Sequence, residues 1–231
     1  MNRTVSVVRM QLINRQTYIW VPLMVLGGAL LVTLAIYAIL MNSGVGGPMY
    51  GGGAQAPLWY FGVVGIQALT LTFPFSQAMS VTRREFYLGT LLTAVMTGAI
   101  LALIFVAGGL IEEATGGWGM NGYFFYLPWI WEAGALGAGI FFFTVTMLFF
   151  VVGFWAATIY KRFGSVVLTS VLVGIAALLV LAMFWIGQMQ AWLEVFSWIG
   201  SQGALGLALW GLLLAVVLAG ISYLTLRRAV P

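Results

Sequence analysis

The chain has 231 residues, of which 63% are hydrophobic and 6% charged, and its formal net charge is +4. A soluble domain carries about 25% charged residues, so this composition excludes an ordinary soluble protein and predicts an all-α integral membrane protein with one transmembrane domain over residues 1–231. The sequence also contains no cysteine, histidine or aspartate, which excludes the common metal-dependent, thiol-dependent and aspartate-dependent intramembrane enzymes.

The chain begins with a basic segment that precedes the first long apolar run. Val5, Val8 and Leu12 share one face of a predicted helix, while arginines occupy the other positions. This pattern predicts an N-terminal interfacial helix lying on the anionic inner leaflet. The alternative is a basic tail that only fixes the topology.

Six apolar runs follow, separated by charged residues and by clusters of glycine, proline and asparagine. We predict transmembrane helices at about residues 18–41, 57–79, 87–111, 133–159, 164–187 and 203–226. Six spans place both termini on one side, and all nine basic residues fall in the termini and the even-numbered loops. The positive-inside rule therefore predicts a multi-pass protein of the cell (plasma) membrane with both termini in the cytoplasm.

Two long outer loops differ in composition. Residues 42–57 are rich in glycine and carry no charge, which predicts a flexible connection. Residues 112–132 combine glycine turns with many aromatic rings, and such rings favour the headgroup level of a bilayer. Four glutamates are interpreted as loop charges at this outer edge, so a hydrolase built on glutamate alone is disfavoured: Glu112, Glu113, Glu132 and Glu194.

The first inner loop holds a compact group of charges. Thr82 and Glu85 have the spacing of a capping box, in which each side chain bonds the backbone of the other, so a helix is predicted to start at Thr82. Pro74, just before this point, predicts a kink or an early end to the second span. The connection is therefore expected to be short and ordered.

Two arginines in the first turn of that helix need a separate explanation. Arg83 and Arg84 meet the positive end of the helix dipole, which disfavours cations by a few tenths of a kcal/mol each. One interpretation is that both charges fix the membrane topology and bind lipid phosphates. The alternative is that the basic turn, with the aromatic pair Phe86 and Tyr87, docks a cytoplasmic partner.

The segment "SVTRREFYLGTLL", residues 80–92, resembles the first cytoplasmic loop of ABC transporter permeases of the type-2 exporter class. In that family a Gly/Ser-hydrophobic-Thr/Ser-Arg-Arg-x-Phe run seats a short coupling helix in a cleft of the ATPase subunit. The motif starts here with Ser80, where glycine is frequent in the family. The basic N-terminus, the six spans and "YKRFGS" at residues 160–165 fit the same layout.

The resemblance implies that membrane transport and ATP hydrolysis are carried out by different subunits. The chain would be a permease subunit paired with a second permease, identical or homologous, and with a cytoplasmic nucleotide-binding ATPase that holds ATP and magnesium. The chain itself shows no Walker A pattern, because its only lysine, Lys161, is followed by Arg162 and lacks the preceding glycines. The ATPase contact implied by the family consists of Val81, Thr82, Arg83, Arg84, Glu85, Phe86 and Tyr87, and the second inner loop supplies Lys161, Arg162 and Phe163.

The third outer segment, residues 188–202, is too apolar for a water-exposed loop. One helix face repeats apolar residues at positions i, i+3, i+4 and i+7, namely Trp192, Val195, Phe196 and Ile199. We expect a short outer helix before the last span, either re-entrant or lying in the interface. An interfacial anchor with no role in transport is the alternative.

The spans offer few groups for a transported molecule. No charged residue lies within the six runs, which disfavours carriers driven by ions or protons. Most polar residues in such spans only bond their own backbone, but four are candidates for a substrate path: Gln67, Thr70, Thr97 and Thr144. We therefore expect an exported substrate that is hydrophobic or amphipathic, such as a lipid, peptide or drug, with membrane lipid around the chain and no nucleic-acid partner. An ion-independent channel or a membrane scaffold or assembly subunit is the alternative function.

Overall fold

A computed structural model describes residues 3–227 of the chain. It is about 87% helical, in keeping with the all-α class. Five helical stretches are long and apolar enough to cross a membrane: Gln16–Asn42, Gly53–Ala78, Arg83–Ala114, Gly134–Gln188 and Trp192–Leu226. Their length and composition indicate a membrane protein.

The described chain consists of eight α-helices and one pair of very short strands. In chain order these are α1 (Arg3–Ile13), α2 (Val21–Asn42), β1 (Met49–Tyr50), α3 (Ala56–Gln67), α4 (Phe73–Ala78), α5 (Arg83–Ala114), β2 (Gly122–Tyr123), α6 (Pro128–Trp131), α7 (Gly134–Gln188) and α8 (Trp192–Leu226). A wide π-helical turn over Gln16–Trp20 leads into α2, and another over Ala68–Thr72 joins α3 to α4. The second turn lies directly before Pro74, which has no N–H to donate, so the distortion predicted at this proline is present.

Five long helical stretches stand where six spans were predicted, because the predicted spans 133–159 and 164–187 both fall within α7. A straight helix of the 55 residues of α7 would be about 80 Å long, whereas a bilayer core is about 30 Å thick. Gly164 interrupts the helical backbone with φ 84° and ψ 178°. This left-handed φ is accessible to glycine at little cost, so the break falls at the predicted inner loop.

A second glycine interrupts α8. Gly203 has φ 61° and ψ −179°, which separates residues 192–202 from the remainder of the helix. The predicted outer segment is therefore helical. It adjoins the predicted last span, residues 203–226, through a single non-helical residue.

Close contact between α3 and α7 is made by glycines. A Cβ atom added to Gly65 would lie 2.9 Å from the backbone nitrogen of Phe154, and one added to Gly153 would lie 3.1 Å from the Cα of Gly62. The two backbones thus touch where no side chain intervenes. Such small-residue contacts provide the van der Waals packing that joins helices in membranes.

The two predicted outer loops bond to each other, so the connection over residues 42–57 is tied down from Met49 onward, while residues 43–48 are exposed. Strands β1 and β2 pair in parallel, with Met49 opposite Gly122 and Tyr50 opposite Tyr123. The Tyr37 hydroxyl of α2 donates a hydrogen bond of 2.9 Å to the carbonyl of Tyr123. Gly51 permits this packing, because a Cβ there would come within 2.5 Å of the Tyr37 hydroxyl.

Helix α1 packs against the first turns of α5 through a face that includes Val8 and Leu12 of the predicted one but not Val5. Val7 and Gln11 are each 1% exposed, whereas Val5, expected on the apolar face, is 41% exposed. The Gln11 side-chain amide donates a 2.7 Å hydrogen bond to the Thr90 hydroxyl. The glutamine was missed because its buried partner lies 79 residues away in the sequence.

Candidate functional site

The candidate site begins at the tight turn between α4 and α5. Ser80 adopts a left-handed backbone with φ 57°, a conformation that glycine reaches more easily than other residues. The frequent glycine of the resembled motif would fit this position. The Val81 amide donates to the Ser76 carbonyl at 3.1 Å, and the Gln77 side chain donates to the Val81 carbonyl at 3.0 Å. Hydrogen bonds of both the amide and the carbonyl of Val81 therefore fix the turn.

The capping box predicted at the start of α5 is confirmed. The Thr82 hydroxyl accepts a bond from the Glu85 amide at 3.3 Å, and the Thr82 amide donates to the Glu85 carboxylate at 3.0 Å. The hydroxyl also donates to the same carboxylate at 2.7 Å. No separate coupling helix forms over residues 81–87, because Val81 lies in the turn and α5 starts at Arg83.

The two arginines of the first turn have different surroundings. Arg83 is half-buried, and its guanidinium donates a 2.6 Å hydrogen bond to the carbonyl of Arg227, the C-cap residue of α8. Arg84 is exposed. Arg83 therefore ties α5 to the end of α8, while the Arg84 side chain remains exposed. Contact with the negative end of the α8 dipole also offsets the unfavourable position of Arg83 on its own helix.

The aromatic pair of the segment faces the helix bundle. Phe86 is fully buried, with its ring 5.1 Å from that of Phe73. Tyr87 is buried too, and its hydroxyl donates a 2.8 Å bond to the carbonyl of Ala219 in α8. These two rings, expected at a docking surface, instead anchor the first turn of α5. The exposed residues of the predicted contact are Thr82 and Arg84.

The second inner loop is the region around the break in α7. Lys161 and Arg162 are half-buried, whereas Phe163 is 48% exposed. The Arg162 guanidinium lies 4.5 Å from the centre of the Phe163 ring. Arg162 also lines a cleft together with the end of α8, so the structure brings the break in α7 and the basic end of α8 to the same region.

The four candidate path residues occupy three helical stretches, with Gln67 and Thr70 on the one over Gly53–Ala78, Thr97 on α5 and Thr144 on α7. Thr70 and Thr97 donate to carbonyls of their own helices, those of Ile66 and Thr93, at 2.9 and 2.8 Å. Thr97 also lines an apolar cleft between α2, α3 and α5. Gln67 is half-buried in the last turn of α3.

Thr144 is the exception among these four candidates. Its hydroxyl is buried and has no hydrogen-bond partner among the residues that the structure describes. Its methyl group would lie 3.2 Å from a Cβ added to Gly211 of α8. Thr144 thus belongs to the α7–α8 contact.

The outer segment is a helix whose apolar face is only partly covered by this chain. Trp192 and Val195 are half-buried, whereas Phe196 is 63% and Ile199 is 37% exposed. The Trp192 and Phe196 rings stack with centroids 5.8 Å apart. Trp192 and Phe196 are therefore neighbours at i and i+4 on one helix face, as predicted.

Sequence reasoning missed the role of Glu112, which was interpreted as an outer loop charge. Its carboxylate is fully buried at the outer end of α5. It accepts backbone N–H bonds from Phe124 at 3.0 Å and from Phe125 and Tyr126 at 2.7 Å each, and an indole bond from Trp118 at 2.7 Å. Successive N–H groups of this kind form a nest for an anion.

Glu112 therefore organises the segment 117–127, which we call the outer cap. A carboxylate followed by glycine turns and aromatic residues was the available signal in the sequence. Glu113, its neighbour, is exposed, so the sequence alone offered two equivalent acids. Among residues 3–227, no three side chains of the metal-binding acidic, histidine or cysteine types come together.

Comparisons with known proteins add no relative: no family model, no characterised protein and no solved structure matches this chain.

Proposed function

We propose that this chain is the permease subunit of an ATP-driven exporter of the ABC class. A separate ATPase subunit binds ATP and magnesium and hydrolyses the nucleotide, and a second permease completes the transport unit. The exported substrate is hydrophobic or amphipathic, because the spans provide no charged group for a polar one. The permease is itself not an enzyme.

The observation that carries this proposal is the mechanical continuity of α5. The helix runs without a break from Arg83, beside the exposed Arg84, to Glu112 at the outer cap. At about 1.5 Å per residue, its 32 residues extend over about 48 Å. A partner that moves the inner end can therefore displace the outer cap through one rigid element.

The inner end of α5 is also hydrogen-bonded to α8, so a force applied to this end of α5 would be transmitted to α8. Arg83 holds the carbonyl of Arg227, and Tyr87 holds the carbonyl of Ala219. Both bonds connect the first turn of α5 to the last turns of α8. An ATPase docked against Thr82 and Arg84 would thus move two helices together.

Charge reversal at Arg84 tests the docking surface. We expect Arg84→Glu to reduce co-purification of the ATPase at least about tenfold. The substitution removes a charge-assisted hydrogen bond to the ATPase and puts a repulsive charge in its place. The measurement is the ATPase recovered with the tagged permease in detergent. The matched control is Arg9→Glu, an exposed arginine on α1, which should retain the partner. Equal recovery with both variants would exclude docking at Arg84.

The proposed topology has six spans and cytoplasmic termini. The break at Gly164 supports it, because it divides α7 at the predicted second inner loop. A reporter that is active only in the cytoplasm, fused after Pro231, is expected to be active. A second fusion after Gly116, in the outer loop, should be inactive. The opposite pair of results would overturn the orientation, and activity of both would overturn the six-span model.

A further inference from the structure

A mixed polar and apolar cleft lies between the break in α7 and the C-terminal end of α8. Its volume is about 440 Å³, and it is lined by Arg162, Ile221, Leu224, Thr225 and Arg227. Arg162 lies two residues before the break at Gly164, and Arg227 is the C-cap of α8. Two guanidinium groups from separate helices thus border one opening.

Each of the two guanidinium groups lies near an aromatic ring of its own helix. Arg162 lies 4.5 Å from the centre of the Phe163 ring, and Arg227 lies 5.9 Å from that of Tyr223. A guanidinium that stacks through its face still has its N–H donors in its plane. This fork geometry matches the oxygens of a phosphate group.

The described lining of the cleft holds two arginines and no glutamate. Glu85 is the acid at the inner end of α5, and its carboxylate is already bonded by the amide and hydroxyl of Thr82. Glu112 and Glu113 lie at the other end of the same helix, and Glu194 lies in the first turn of α8, far from Arg227. Arg83 adds a third cation by its bond to the Arg227 carbonyl.

The apolar wall of the cleft selects among phosphate-bearing ligands. Ile221 and Leu224 are 43% and 59% exposed and lie within the two turns of α8 that precede Arg227. A free phosphate gains nothing from this wall. A phospholipid can bury its acyl chains along it while its phosphate meets the two guanidinium groups.

We propose that this cleft binds the headgroup phosphate of an anionic membrane phospholipid. Attraction to the negative end of the α8 dipole does not by itself explain why two guanidinium groups border the cleft. Arg83 already donates to the carbonyl of Arg227 at that end. The site goes beyond the proposed function, and it would adjoin the ATPase-docking turn without requiring the ATPase.

The test is native mass spectrometry of the full chain in detergent, without any partner. The protein is titrated with phosphatidylglycerol, with phosphatidylcholine of the same acyl chains, and with phosphatidylglycerol in the presence of excess inorganic phosphate. We expect about tenfold tighter binding of phosphatidylglycerol than of phosphatidylcholine, with little displacement by phosphate. Equal binding of the two lipids, or displacement of phosphatidylglycerol by the excess phosphate, would overturn the proposal.

Variants locate the site on the chain. Arg162→Gln with Arg227→Gln should weaken phosphatidylglycerol binding about tenfold or more, because two charge-assisted bonds are lost. The control is phosphatidylcholine binding by the same double variant, which should change less than about twofold because the two lost charges select for the anionic lipid. An equal loss for both lipids would show general damage to the protein and overturn the site.

A second double variant, which keeps both positive charges, tests the proposal if the double glutamine variant does not fold. Arg162→Lys with Arg227→Lys retains both charges but loses the planar fork. We expect it to weaken binding about threefold, and unchanged binding would contradict recognition by the two guanidinium groups. Because no ATPase is present, loss of the lipid site and loss of ATPase docking are separate outcomes.

Discussion

Replacing Glu112 by glutamine is expected to lower the free energy of unfolding by about 3–5 kcal/mol. The carboxylate accepts three backbone N–H groups and the indole N–H of Trp118. A glutamine amide would turn its own N–H donors toward some of these groups, and each buried donor left without an acceptor costs about 1–3 kcal/mol. Thermal unfolding in detergent, followed by tryptophan fluorescence, measures the effect, and we expect the midpoint to fall by about 10 °C.

Glu113→Gln is the matched control for this prediction. It makes the same chemical change on the same helix one residue further along, but Glu113 is exposed. Surface substitutions of this kind change stability by about 0.5 kcal/mol or less. Similar midpoints for the two variants would show that Glu112 does not organise the outer cap.

Substituting Gly153 by leucine is expected to abolish the folded protein. Even a Cβ at this position would lie 3.1 Å from the Cα of Gly62 and closer still to its carbonyl group. Backbone atoms on both helices cannot move aside as a side-chain tip can, so α3 and α7 must separate. The measurement is the fraction of expressed protein that elutes as a single symmetrical peak in detergent.

The control for that substitution is Gly174→Leu, on the later part of the same helix α7. A Cβ at Gly174 meets no atom within 4 Å, and leucine is a better helix former than glycine. We expect normal elution and an unchanged unfolding midpoint. Wild-type elution of Gly153→Leu would contradict the backbone contact between α3 and α7.

The local features of this fold were accessible from the sequence. Apolar runs predicted the regions of the long helices, and the spacing of Thr82 and Glu85 predicted the capping box of α5, which begins at Arg83, one residue after the predicted start. Both depend on neighbours within a few positions, which the sequence displays directly. The glycines at the breaks of α7 and α8 were visible as well, although their backbone angles were not.

The features that the sequence did not reveal depend on distant partners. Phe86 and Tyr87 were expected at a surface, but their contacts with Phe73 and Ala219 turn them inward. The strand pair joins residues 73 positions apart, Met49 and Gly122. A pattern of residue types near one position carries no information about such contacts, so burial of Glu112 rather than Glu113 could not be predicted.

The most direct test of the proposed function is purification of the tagged wild-type chain from its own membranes, with mass spectrometry of every protein that remains bound. The proposal predicts a nucleotide-binding ATPase with Walker A and Walker B motifs, in about equal amount to the permease and lost with Arg84→Glu. If no such ATPase is recovered under conditions that preserve other membrane complexes, the chain is not an ATP-driven permease. A channel or a membrane scaffold would then be the function to test.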